Sequence, residues 1–361
     1  MTQCTELWVD RNQLRNTRIE SAEVPTPLEG EVLVAIDRFG LTSNNVSYAV
    51  SGDTIGYWGY YPAEGNWGKV PVWGCADVVA SNCAEVPVGE RIWGFFPMAS
   101  HALLRPGKVR EDQFLDVAAH RAVLPALYNG YRRTRAEPDF LQAMEVERCL
   151  LFPLFATSWL IYDYLVDNAF FGAKQVLIGS VSSKTGFGLA WMLHSDPEVS
   201  QRVVGLTSAG NVAFVERLGC CDEVVVYGQE SSIDATVPTA YVDMSGDVGL
   251  TTTLHNLLGE HMVESAMVGA THWEQRGDTG TLPGAKPTFF FAPAQIAKRD
   301  SEWGPGVAMM KAMTASAEVA KTAREELEVE WIRDAQALAT VWNDLLDNKV
   351  SPNRGLMVSL L

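Results

Sequence analysis

Along 31–42, "EVLVAIDRFGLT", apolar and polar residues alternate with the period of a half-buried strand. "ADVVAS" and "ERIWGFFPM" carry the same pattern, and "VPVG" at 86–89 reads as the turn between them. Helical spacing is scarce before about residue 111; from there "EDQFLDVAA" and "DFLQAMEVERCLLF" read as short helices with Asp or Glu near their starts. The first 150 residues therefore predict a β-rich domain.

The pattern then changes. "ATSWLIYDYLVDNAF" has apolar residues at helical spacing. After it come "QVLIG", "RVVGLT", "EVVVY", "TAYVDM" and "HMVESAMVG", short apolar runs spaced roughly 20 to 25 residues apart. "FGLAWMLHSD", "NVAFVERLG" and "GLTTTLHNLLG" lie between them as helices, and "PTFFFAP" adds a sixth strand. Strands alternating with helices predict a parallel sheet covered on both faces. "VAMMKAMTASAEVAKTAREELEVEWI" and "ATVWNDLLDNKVSP" read as closing helices. The fold class is α/β.

The junction "QVLIGSVSSKTGFGLA" raises the chemical question, because a buried strand, a small polar loop and a helix start make a place for phosphate. Gly179, Lys184 and Thr185 stand where a triphosphate loop, G-x-x-x-x-G-K-T, would put them, and Asp243 could hold its magnesium. Ser183, however, replaces the glycine before the lysine. A dinucleotide fold accounts for more: Gly186 and Gly188 open the helix, and the loop follows the first strand of the series. Ser180, Ser182, Ser183 and Thr185 offer hydroxyls and Lys184 a charge; Gly246, and Gly269 with Ala270, follow later strands and complete the candidate cofactor contacts. The second strand ends in "LTSAGN", with Thr207, Ser208 and Asn211 but no acid to grip a ribose 2′-hydroxyl. A neutral end favours NADP(H) over NAD(H). No arginine stands there for the 2′-phosphate, which leaves Lys184 and Tyr227 as its candidate partners; these residues could equally serve to cap the next helix.

Composition narrows the classes. A chain of 361 residues with net charge -16 favours two domains and argues against nucleic acid and anionic membranes, which select clustered Lys and Arg. No apolar run reaches the roughly 18 residues of a membrane span, and the N-terminus lacks the apolar core of a signal peptide, so a cytoplasmic protein is expected. Six cysteines without C-x-x-C spacing, and scattered histidines without H-E-x-x-H, predict buried thiols and no metal site.

"VPVWGCADVVASNCAEVPVGERIWGF" resembles the GroES-like domain of the medium-chain dehydrogenases/reductases through Gly74, Val78, Val79, Gly89 and Arg91, with Glu90 for the usual Asp. "VLVAIDRFGLTSNNVSYAVSG", "LGCCDEVVVY" and "LLDNKVSPNRG" resemble further segments of that superfamily in the same order. The similarity is greatest to the zinc-independent quinone oxidoreductases and enoyl reductases. The insert "GDTIGYWGYYPAEGNWGKVPVWG" and the S-S-K-T loop are similar to the DUF2855 group.

The resemblance implies a GroES-like β-rich domain over 1–150, completed by about 301–361, and a Rossmann doubly wound parallel-sheet domain over 151–300. It implies a zinc-independent NADPH-dependent reductase acting on an enone, enoyl or quinone-like substrate in an interdomain cleft, or a dinucleotide-binding scaffold that has lost turnover. The zinc ligands of alcohol dehydrogenases and the four-cysteine lobe are absent, and the family's A-S-G-G-V-G loop is longer here by about three residues. Tyr48 falls where such relatives place a pocket tyrosine, with Ser43, Asn44 and Asn45 nearby; Tyr48 and Asn45 are the catalytic candidates, although each could instead cap a helix or pack as core. In the insert, Tyr57, Trp58 and Tyr61 could lie over a flat substrate, with Trp273 closing the pocket, or form a satellite core. Such relatives pair through nucleotide-domain edge strands, so a homodimer is expected.

Overall fold

The computed structural model describes residues 3–268 and 281–361, in two compact units: Met1–Leu150 with Leu327–Leu361, and Leu151–Glu326.

The first unit contains strands β1 (Gln3–Asp10), β2 (Val32–Leu41), β3 (Pro71–Ser81), β4 (Arg91–Pro97) and β5 (Gly130–Arg133), of which β2, β3 and β4 hold the alternating segments. β2, β3, β4 and β5 are successive antiparallel neighbours in one sheet, while β1 belongs to a smaller one. Helix α1 (Ser43–Val50) leaves β2 through a capping box formed by Thr42 and Asn45. The motif residues have structural roles. A Cβ on Gly74 would stand 2.5 Å from the Arg38 carbonyl oxygen, Gly89 turns at φ +85°, and Arg91 binds Asp77, Asp37 and Glu145 together.

"EDQFLDVAA" is not helical. Gln113–Asp116 is a strand paired with β5. Phe114 and Asp116 both point inward; the buried Arg121 supplies Asp116 with a charge partner at 3.0 Å.

The second unit begins with α2 (Phe152–Asp167) and contains strands β6 (Gln175–Gly179), β7 (Arg202–Thr207), β8 (Glu223–Val226), β9 (Thr239–Asp243), β10 (Met262–Met267) and β11 (Thr288–Phe289). Helices α3 (Lys184–Ser195), α4 (Val212–Leu218), α5 (Val248–Leu258), α6 (Ala292–Trp303) and α7 (Val307–Glu326) connect or follow them. Among the described residues the sheet runs β8–β7–β6–β9–β10–β11, and every pair is parallel. This is the doubly wound order, reversing direction between β6 and β9. β6 and β9 are buried throughout, which is why their sequences are continuously apolar or nearly so.

The chain returns to the first unit at Leu327 rather than near residue 301, because α7 packs on α2 and α6. The helical pattern read through "LEVEWI" stops at Glu326; β12 (Glu328–Ile332) follows, then α8 (Ala335–Leu346) and β13 (Arg354–Val358). β12 lies parallel to β13, which pairs with β2. As a sheet edge, β12 leaves Trp331 half-exposed beneath the Arg38 and Arg333 guanidiniums.

Candidate functional site

Gly179 ends β6 with no room for a side chain: a Cβ would lie 2.8 Å from Tyr241 Oη and 3.1 Å from Asp243 Oδ1. The next residue, Ser180, turns at φ +54°, a left-handed backbone that costs a non-glycine residue about 1–2 kcal/mol. Its amide donates to Tyr227 Oη at 2.8 Å, and the Val181 amide donates to the Leu206 carbonyl at 3.0 Å. Ser183 caps α3, its Oγ accepting the Gly186 N–H at 3.1 Å. A Cβ on Gly186 would stand 2.6 Å from the Ser180 carbonyl oxygen, so loop and helix meet backbone to backbone. Ser158 Oγ, reaching from α2, donates to the Thr185 carbonyl at 2.7 Å. The N–H groups of α3's first turn and the hydroxyls of 180–185 therefore gather beyond the end of the central strand. Lys184 is the first residue of that helix, and burial pushes its ammonium down to about 8.

The neighbouring strand ends support this loop. Thr207 Oγ1 and Asn211 Nδ2 donate to Ser182 Oγ at 3.0 and 3.2 Å. Ser208 is exposed just past β7. Thr207, Asn211 and Tyr227, read from the sequence toward the cofactor's ribose end, thus spend hydrogen bonds on the loop itself. After β9, the Asp243 carboxylate accepts from Ser245 N at 2.7 Å, Ser245 Oγ at 2.6 Å and Gly246 N at 3.1 Å. Burial pushes its carboxyl up. It closes a turn in which Gly246 has φ +69°. Gly269, Ala270 and Trp273 lie outside the described residues.

The catalytic and substrate candidates of the first unit gather in one aromatic core. Asn45 donates from Nδ2 to the Pro71 carbonyl at 2.9 Å and accepts the Thr42 N–H at 2.8 Å, a structural use of its amide. Tyr48 is 6% exposed; its Oη accepts the Trp73 indole N–H at 3.1 Å, and burial raises its pKa. Tyr57, Trp58, Tyr60 and Tyr61 of the insert are all buried. Tyr57 Oη and Tyr128 Oη are hydrogen-bonded at 2.9 Å, and Tyr61 Oη donates to the Phe95 carbonyl at 2.8 Å. Trp58 fills space that side chains at Gly52 and Gly68 would need. Arg121 lies 4.6 Å over the Tyr61 ring. Sequence reasoning missed Tyr128, Tyr131 and Arg121; their pairing with the insert spans 60–71 residues and leaves no local pattern.

Among the described residues no three His, Cys, Asp or Glu converge as a metal-binding group, and no helix is long and apolar enough to cross a membrane. A β-rich unit joined to a doubly wound parallel unit defines the fold of the medium-chain dehydrogenases/reductases. Solved structures share it across the whole chain. CurA from Vibrio vulnificus, in complex with NADPH, has 13% identity and TM-score 0.61, covering 98% of each chain. The CurK enoyl reductase has 12% identity and TM-score 0.52, covering 99% of each. The quinone oxidoreductase from Coxiella burnetii has 14% identity and TM-score 0.51, covering 100% of each. Within that fold, the chain belongs to the family described as protein of unknown function, DUF2855, which matches residues 39–351. No curated protein matches it.

Proposed function

We propose that the chain is a cytoplasmic, zinc-independent, NADPH-dependent reductase that passes hydride to an enone, enoyl or quinone-like substrate. One observation carries the reading: the serine-lined loop 180–183 sits at the point where the parallel sheet reverses its strand order, and no acid stands at the end of β7. The NADPH complex of CurA and the two reductases named above support it by shared fold. The residues present fit a dinucleotide. Gly186 lets the loop close onto the start of α3, Lys184 offers charge, and Thr207 and Ser208 place nothing negative against a 2′-phosphate. The cofactor, when bound, supplies the hydride.

The chain's own part is to hold the pyrophosphate on the α3 N-terminus and to stabilise charge building on the substrate oxygen. Tyr48 is the proposed donor there: its oxygen is engaged by Trp73, and its raised pKa keeps it protonated to donate. A scaffold reading, binding without turnover, is favoured by the burial of Tyr48 and the full use of Asn45.

Multiple-turnover NADPH oxidation across a panel of enones and quinones separates the two. Turnover that survives exhaustive chelation supports the zinc-free reductase. Stoichiometric binding without turnover supports the scaffold, and zinc lost together with activity removes the zinc-free assignment.

A further inference from the structure

We infer that Tyr227 is a positioning residue that holds the loop 180–183 in the shape that receives the dinucleotide, acting through its bond to the Ser180 amide; the inference rests on the reading of that loop as the phosphate site. The backbone at Ser180 is left-handed, φ +54°, in a place where glycine would carry no steric cost. Something outside the loop must therefore hold it. The Tyr227 phenol oxygen accepts the Ser180 N–H at 2.8 Å. The phenol is itself fixed: its ring packs on the core cluster that includes Leu177, Val204 and Tyr241, and the Tyr227 amide donates to the Thr207 carbonyl at 3.0 Å. Two positions on, Thr207 and Asn211 donate to the Ser182 hydroxyl from the adjacent strand end. The loop, poorer in glycine than the turn it replaces, is shaped by side chains from β7 and β8 instead.

Such a role differs from direct contact with a 2′-phosphate. The pyrophosphate is common to NADPH and NADH, so a clamp serves both equally. A glycine in place of Ser180 adopts the left-handed turn unaided, so it makes the clamp dispensable.

Four proteins test this: the wild type, Tyr227→Phe, Ser180→Gly and the double variant. Each is titrated with NADPH and with NADH, and exchange of the Ser180 amide is followed without nucleotide. Tyr227→Phe is expected to weaken both dinucleotides by the same factor, about tenfold, and to lose less than about twofold further in the Ser180→Gly background. It should also speed exchange of the Ser180 amide. A loss larger for NADPH than NADH, or one that persists in the Ser180→Gly background, overturns the clamp, as does unchanged amide exchange. Failure of the wild type to bind either dinucleotide defeats the cofactor reading and leaves the amide measurement to decide the clamp.

Discussion

Lys184 carries its ammonium in a half-buried site at the start of α3, where burial pushes it down to about 8. A bound phosphate would stabilise the charged form and raise that value, so binding and protonation are linked. The affinity gained is fully present below about pH 8 and is lost as pH rises through the bound-state pKa, by at most tenfold per pH unit. NADPH binding should therefore weaken by about tenfold between pH 7 and pH 9.5, above the roughly pH 6 range where a phosphate monoester itself titrates. Isothermal titration across that range checks it, and Lys184→Ala should flatten the profile. The neutral strand end "LTSAGN" predicts a preference for NADPH over NADH of more than about tenfold, or ~1.4 kcal/mol, measured by tryptophan-fluorescence quenching. Equal affinities would remove the NADP assignment. If Lys184 meets the 2′-phosphate, Lys184→Ala lowers NADPH affinity more than NADH affinity; an equal loss puts it on the pyrophosphate. The candidate loop was legible in the sequence because its serines, Lys184 and glycines are contiguous. The bond between Tyr227 and Ser180 was not, since the two stand 47 positions apart and it depends on the sheet having formed.

Among the elements, α2 and α3 meet at a glycine. A Cβ at Gly188 would lie 2.6 Å from Ser158 Oγ and 2.7 Å from the Phe155 ring. Ser158 cannot simply swing aside, because its hydroxyl bonds the Leu154 and Thr185 carbonyls at 3.0 and 2.7 Å. Gly188→Ala should gain a little helix propensity and lose more to overpacking, a net destabilisation of about 1–3 kcal/mol in urea unfolding. It should also disturb the helix end that forms the candidate site, so dinucleotide affinity should fall with stability. Stability that rises instead would mean the two helices can separate without strain. Among the elements that sequence patterning identified, β6 and β9 are buried along their whole length and α2 along much of it, so their apolar residues leave a clear pattern. Gln113–Asp116 escaped it because Asp116 is buried against Arg121, and a buried acid reads as a surface residue until its partner is known. The β12 segment escaped it for the opposite reason: most of its residues are exposed at a sheet edge, so no apolar period marks it.

For the whole molecule, assembly turns on the edge of the parallel sheet. Among the described residues β11 is one edge, and exposed aromatic rings lie on it and just past it: Phe289 is 53% exposed and Phe291 38%. Phe290 turns the other way, onto Tyr164 with ring centroids 5.6 Å apart. An unpaired edge of this composition invites a second strand, and a two-fold partner would both cover it and close the assembly. β11 has only two residues, so few backbone bonds are on offer and the aromatic side chains must supply most of the contact. We therefore expect a homodimer, seen by light scattering as roughly twice 39.6 kDa; a mass near the single-chain value rejects it. Phe289→Asp, at an exposed ring, should split the dimer, whereas Phe290→Asp should destabilise the fold, because its ring packs inward. Each chain carries net charge -16, so like charges oppose an association driven by apolar contact. Added salt screens that repulsion within a Debye length of about 10 Å at 0.1 M. The dimer should accordingly tighten as salt rises, and a dimer that loosens with salt would point to ion pairs rather than the aromatic edge.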